Sequence, residues 1–241
     1  MKIIADLHTH TLASGHAYST VNELAIAAAQ AGLQALALTD HGPALPGGPH
    51  RYHFCAMRFI PRTIAGVRIF RGVEANILDE NGTLDLDQPV LEELEFVMAG
   101  LHEHCGFNDN DSSSDIGLNT KALLAVMDNP RVKCISHPGN PLFPLDYEKV
   151  VKHALETGTA LEINNSSLSL SRKGSCDNCF KIASLCAEFG APIMIGSDAH
   201  ISQGVGVFDD ALKIVAEAGI AEKQVINASM ERLLNFLGLA E

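Results

Sequence analysis

Residues 3–10, Ile3-Ile4-Ala5-Asp6-Leu7-His8-Thr9-His10, set a short apolar run directly ahead of a His-x-His pair, and Ala35-Leu36-Ala37-Leu38-Thr39-Asp40-His41 repeats the arrangement. Between them Thr20-Val21-Asn22-Glu23 has the form of a capping box and Gly32 supplies a stop, so a helix is predicted over Leu24–Ala31. Strand, helix and strand in this order make one parallel crossover unit. The alternation continues along the chain. Strands are predicted at Ile3–Asp6, Ala35–Thr39, Arg68–Val73, Phe96–Gly100, Cys134–Ser136, Ala160–Asn164 and Pro192–Gly196, and further helices at Thr120–Met127, Tyr147–Glu156, Cys176–Phe189 and Asp209–Glu217. Most of the strands are too continuously apolar to have a wet face, so both faces of the sheet should be covered. No linker, low-complexity tract or internal repeat interrupts the series. Residues 1–241 therefore read as a single α/β domain, a closed or nearly closed seven-unit barrel, with an open doubly wound sheet as the alternative.

The ionisable residues fall in one place. Strand one leads into His8 and His10, strand two into Asp40-His41, strand three into Glu74, strand four into His102, strand five into His137 and strand seven into Asp198-Ala199-His200; strand six ends in Asn164-Asn165. The C-terminal ends of the strands are where α/β folds gather their active sites. A lone histidine is more often structural than ligating, but six of the chain's 11 histidines stand at these ends together with Glu74 and Asp198. In an extended His-x-His segment both imidazoles leave the same side of the strand and can converge on one ion. A set of imidazoles and carboxylates without thiolate suits an open catalytic site for Zn, Mn or Fe rather than a closed structural zinc.

The composition narrows the alternatives. Seventeen Lys and Arg against 29 Asp and Glu give a formal net charge of -12, which repels phosphate backbones and makes a nucleic-acid binder unlikely on bulk charge. The six cysteines, scattered through the chain and without a secretory leader ahead of them, read as reduced thiols. No apolar segment approaches the roughly 18 residues needed to span a bilayer, so no membrane partner and a cytoplasmic location are expected.

At the strand-end residues the chain resembles the PHP family of metallohydrolases (polymerase and histidinol phosphatase), and among them the YcdX-type bacterial phosphatases. Beyond Asp6–His10 and Thr39-Asp40-His41-Gly42, the resemblance includes Gly72-Val73-Glu74-Ala75-Asn76, Ser136–Pro141, Leu161–Ser167, Ser171-Arg172-Lys173-Gly174-Ser175 and Gly196–His200. It implies a distorted (β/α)7 barrel, TIM-barrel-like, with three divalent metal ions, zinc first, at its C-terminal mouth. Carried over position by position, His8, His10, Glu74 and Asp198 would hold one ion, with Glu74 bridging to a second held by His102 and His137, while His16, His41 and His200 would hold the third. It also implies a homo-oligomer, a trimer by analogy. The segment after His102 departs from the family pattern, since Glu103-His104-Cys105-Gly106 runs on into a polar stretch from Asn108 to Asp115.

The expected activity is hydrolysis of a small phosphate monoester. Water shared by two ions within the set Glu74, His8, His10, Asp198, His102 and His137 would have its pKa lowered towards roughly 7 and attack phosphorus, with the third ion on the phosphoryl oxygens. Arg172 and Lys173, and less directly Arg51 and His53, lie on predicted loops where they would meet phosphate. Asp6 and Asp40 would orient ligating imidazoles or simply cap turns. Pro46-Gly47-Gly48-Pro49 is expected to form a lid. Cys176-Asp177-Asn178-Cys179 is one isolated CxxC, for which a redox role is the weaker reading. The alternatives in view are an amidohydrolase-like hydrolase, although the chain offers no candidate for that class's carbamylated lysine; a PHP-type nuclease; and a metal-binding regulatory protein.

Overall fold

The computed structural model describes residues 1–107 and 114–240, so most of the polar stretch after Phe107 lies outside the described residues. Seven parallel strands follow one another around a nearly closed barrel: β1 (Ala5–Asp6), β2 (Ala35–Leu38), β4 (Val67–Asn76), β5 (Phe96–Gly100), β6 (Val132–Ile135), β7 (Ala160–Asn164) and β8 (Ile193–Gly196). The short β3 (Thr63–Ile64) adds antiparallel to β4. The crossovers carry α1 (Val21–Gln30), α2 (Tyr52–Ala56), α3 (Gln88–Glu93), α4 (Ile116–Met127), α5 (Tyr147–Thr157), α6 (Ser166–Ser169), α7 (Ser175–Phe189) and α8 (Asp209–Glu217), and α9 (Met230–Leu237) follows β8 and α8. The capping box starts α1: Glu23 N donates to Thr20 Oγ1 at 3.3 Å and Thr20 N to Glu23 Oε2 at 2.7 Å. Each predicted strand and helix is present, the strands with ends displaced by a few residues. No helix among the described residues is long and apolar enough to cross a membrane.

Strand alternation divides the barrel into layers. Ile69, Val73 and Ala75 on β4, and Ile77 just after it, join the outer core against the helices, while Phe70 joins an inner cluster with Phe96, Met98, Cys134, Ala160 and Met194. Leu233, Leu234 and Leu237 of α9 pack into that inner cluster and plug the end of the barrel away from the strand C-termini. Glu74 lies four residues past Phe70 and so faces the same lumen at its other end. The lumen is therefore apolar below and ionisable above.

The seam between β1 and β8 closes by two devices. Towards the C-terminal face the backbones meet directly, with His10 N donating to Ala199 O at 2.9 Å and Ala199 N to His8 O at 3.3 Å. Below that, the Asn227 side chain stands in for a strand. Its Nδ2 donates to Ala5 O (2.9 Å) and Ile195 O (2.7 Å), and its Oδ1 accepts from Ile195 N (3.2 Å). Each of those backbone groups is buried, and an unmet one costs about 1–3 kcal/mol. Asn227→Ala should accordingly lower the free energy of unfolding by about 3 kcal/mol in urea titrations; a loss below about 1 kcal/mol would show that the seam does not depend on this residue.

Candidate metal centre

The ligands predicted from the strand ends converge in the upper lumen. His8 Nε2 lies 3.3 Å from Glu74 Oε2 and 3.4 Å from Asp198 Oδ1, and His10 Nε2 lies 3.5 Å and 3.2 Å from the same two oxygens. Donors held at about 2.0–2.2 Å from a tetrahedral ion sit roughly 3.3–3.6 Å from one another. These four edges match that spacing. None of the four atoms has a hydrogen-bond partner among the described residues although all are buried, a cost that a divalent cation bound between them would remove.

A second triangle shares the bridging carboxylate. Glu74 Oε1 lies 2.8 Å from His137 Nε2 and 3.1 Å from His102 Nε2, and the two imidazole nitrogens are 3.1 Å apart. On the open side of His10, His200 Nε2 approaches His16 Nε2 to 2.9 Å, and the His41 ring centroid is 5.2 Å from that of His16. His10 stacks between His41 and His200, at 4.5 and 4.3 Å. All nine expected ligands are thus in one connected cluster, and the residues fit divalent ions. His41 sits between two groups, since its Nδ1 also lies 3.0 Å from Glu74 Oε2.

Burial and charge prepare the imidazoles. Burial pushes His10 down to about 3, with His41 and His200 adding to it, and burial followed by the Arg172 guanidinium does the same to His137, so both are neutral ligands at ordinary pH. Burial also presses on His8, but Glu162, Glu74 and Asp198 outweigh it and favour its charged form. Burial opposes ionisation of Glu74 and Asp198, yet the surrounding histidines, with Arg172 on Asp198, hold both well below the usual carboxylate range. Buried carboxylates with Arg172 as the cationic wall residue call for added positive charge.

The backbone is bent to aim these groups. His137, Asp198 and Arg172 adopt positive φ of 31°, 56° and 44°, each costing of order 1–3 kcal/mol that neighbouring contacts must offset. Gly196 lacks a Cβ where one would collide with Glu162 Oε1, and Gly100 where one would collide with Ser136 Oγ. Only glycine leaves room for the side chains that cross there.

Supporting residues complete the site, and several of them carry no sequence signal as ligands. Glu162 Oε1 accepts from His8 Nδ1 at 2.7 Å, which turns Nε2 toward Glu74 and Asp198, and its Oε2 accepts from His137 N at 2.7 Å. The one cue to it in sequence is a charged residue inside the otherwise apolar run of β7. Asp40 works through Ser14, whose hydroxyl donates to Asp40 Oδ1 (2.7 Å) and lies 3.1 Å from His10 Nδ1; Asp40 also takes Thr11 and His53. Asp6 touches no imidazole. It accepts instead from the backbone of Ser197 and Gly206, tying the last active loop to the first strand.

The residues expected to meet substrate lie in different settings. Arg172 points into the site, with Nη1 2.8 Å from Asp198 Oδ2. Lys173 is exposed and not part of the cleft wall. Arg51 is exposed and bound at 2.8 and 2.9 Å to both oxygens of Asp87, away from the ligands, and His53 lies in α2 against Asp40. The turn at Pro46–Pro49 packs on Gly15, and Leu45 and Pro46 form a wall of the cleft.

Two tests follow from this geometry. Glu162→Gln should weaken metal affinity by about 10–100-fold, read by competition with a chromophoric chelator; unchanged affinity would remove Glu162 from the centre. In the CxxC segment Cys176 is exposed while burial pushes the Cys179 thiol up to about 12. At pH 8 that thiol stays protonated, so a maleimide should label Cys176 and spare Cys179 in the folded protein; equal labelling would reopen the redox reading.

The PHP domain profile matches residues 6–173. A protein of Syntrophotalea carbinolica named "Probable phosphatase" is 52% identical over 239 residues, covering 99% of this chain and 98% of that one. Another so named, from Thermoanaerobacter sp. (strain X514), is 48% identical over 237 residues, covering 98% and 95%. Among solved structures, the histidinol phosphate phosphatase of Lactococcus lactis, in complex with zinc, L-histidinol and phosphate, superposes with a TM-score of 0.60 at 14% identity, over 90% of this chain and 94% of that one. A probable 2-pyrone-4,6-dicarboxylic acid hydrolase of Acinetobacter baumannii gives 0.54 at 14% identity, over 99% and 100%, so the barrel itself is shared more widely than one chemistry. With the profile covering most of its length and relatives near half identity end to end, the chain belongs to the PHP domain family.

Proposed function

We propose that this chain, a phosphoric ester hydrolase of the PHP family, cleaves small phosphate monoesters at a centre of three divalent ions, zinc by the chemistry of its donors. The observation that carries this reading is Glu74, whose two carboxylate oxygens face two separate donor clusters, Oε2 towards His8, His10 and Asp198 and Oε1 towards His102 and His137. His16, His41 and His200 supply the third group at the open side. Divalent ions bound there would lower the pKa of water towards about 7 and offset the negative charge that otherwise repels a nucleophile from a phosphate ester.

The protein's own groups do the positioning. Glu74 fixes the spacing of the two clusters, and Glu162 and the Asp40–Ser14 pair hold the His8 and His10 rings in the tautomer that leaves Nε2 open. His200 Nδ1 is similarly fixed, 3.0 Å from the Asp198 carbonyl oxygen. Arg172, held over Asp198, is placed to pair with a phosphoryl oxygen of a bound ester. An amidohydrolase reading is less well supported, because no lysine lines the cleft among the described residues. A nuclease would want a basic track, and Arg172 alone of the arginines and lysines lines this wall.

Purified protein should contain about three divalent ions per chain and hydrolyse p-nitrophenyl phosphate, losing activity on chelation and regaining it on metal return. Glu74→Ala should abolish turnover while circular dichroism and the thermal transition still report a folded barrel. Undiminished turnover in that variant would rule out the bridging role.

A further inference from the structure

The cleft over the ligands has a volume of about 1100 Å³, far more than a phosphoryl group occupies, so most of it must receive the alcohol half of the ester. Its wall is mainly apolar, with Leu142, Leu170, Ile201 and Val207 exposed around the mouth and the buried Phe143 also lining it. Leu170 is 90% exposed, and Leu142, Ile201 and Val207 are between 43% and 47% exposed. Single exposed aliphatic residues are ordinary, but several around one cavity that opens on a catalytic centre mark a binding surface.

Several polar groups of the same wall are engaged within the protein. Asn140 Oδ1 accepts from Leu142 N, Asn165 Oδ1 accepts from Asp210 N and Ala211 N, and the Ser166 and Ser171 hydroxyls meet at 3.0 Å. Those groups are less available to sugar hydroxyls. Arg172, itself on Asp198, is the wall's arginine or lysine among the described residues, and Glu103 adds a negative charge. A second phosphate or a carboxylate on the substrate would therefore meet no lysine and no second arginine there among the described residues.

From this wall we infer that the enzyme is selective for esters carrying one phosphate on an alcohol with an extended apolar body, which lies against Leu142, Phe143, Leu170, Ile201 and Val207. The inference deepens the phosphatase reading and rests on it. Ethyl, butyl and hexyl phosphate test it, because their leaving alkoxides have nearly equal basicity and differ in apolar surface. Burial of one methylene is worth about 0.8 kcal/mol, or roughly fourfold, so kcat/KM should rise at least tenfold from ethyl to hexyl phosphate on the metal-loaded protein. Ethyl- and hexylphosphonate, which cannot be hydrolysed, should show the same order in calorimetric Kd. Leu142→Ser and Ile201→Ser, both at exposed positions, should each reduce the hexyl-to-ethyl ratio several-fold, and Leu142→Met should retain it. A flat series, or faster turnover of glucose 6-phosphate or ADP than of hexyl phosphate, overturns the selectivity while p-nitrophenyl phosphate turnover keeps the phosphatase reading standing. Failure on every ester overturns both.

Discussion

A single carboxylate with no exposure organises the upper half of this barrel. Glu74 meets imidazoles from the ends of β1, β2, β5 and β6 within 3.5 Å, and its charge is acceptable at that depth only because positive or polarised groups surround it. Alternation along β4 explains why it is there: the residue that continues the inward face of Phe70 must enter the lumen. Below it the same lumen is filled by aromatic and aliphatic side chains, so the strands are held rigidly at one end and free to present ligands at the other. Stability and chemistry are thus assigned to opposite ends of one tube, as parallel barrels require.

Much of this was legible in the sequence because the signals are local and repeated. The capping box of α1 and the apolar runs of the seven main strands each occupy a few consecutive residues, and the ligands stand where each run stops. The candidate ligands stood out because residue type and strand end coincided at His8, His10, His102 and His137. What stayed hidden depends on contacts across the sequence. Glu162 is recognisable as a supporting residue only when His8, 154 positions away, is seen beside it. Asn227 is an unremarkable polar residue until β1 and β8 lie on either side of it. The setting of Arg51 was hidden for a related reason: its loop follows a strand end, but its guanidinium pairs with Asp87, 36 residues on. The amphipathic α9 and the two-residue β3 carry too little length or context to be separated from loop by pattern alone.

The fold comparison sets the limit of what architecture implies. Barrels of similar shape occur in hydrolases of different bonds, so the barrel does not select the reaction. Selection lies in how many donor groups fit around Glu74 and in the wall beyond them. Positive φ at His137, Asp198 and Arg172 shows that this region departs from relaxed backbone geometry in order to aim side chains, and the hydrogen bonds of Glu162 and Arg172 restrain the result.

The seam at β1 and β8 also bears on how the chain reaches its native state. Asp6 bonds Ser197 from 191 residues away, and Asn227 bonds Ala5 from 222. Contacts of such span form late, because the entropy of closing the intervening loop must be met before they stabilise anything. His8 and His10 stand on one side of the seam and Asp198 on the other, so an ion held between them would not find its full set of donors until the first strand and the last had joined. Metal capture by that set would then coincide with ring closure, and an ion bound there would act as a clasp that slows the opening of the barrel along the seam.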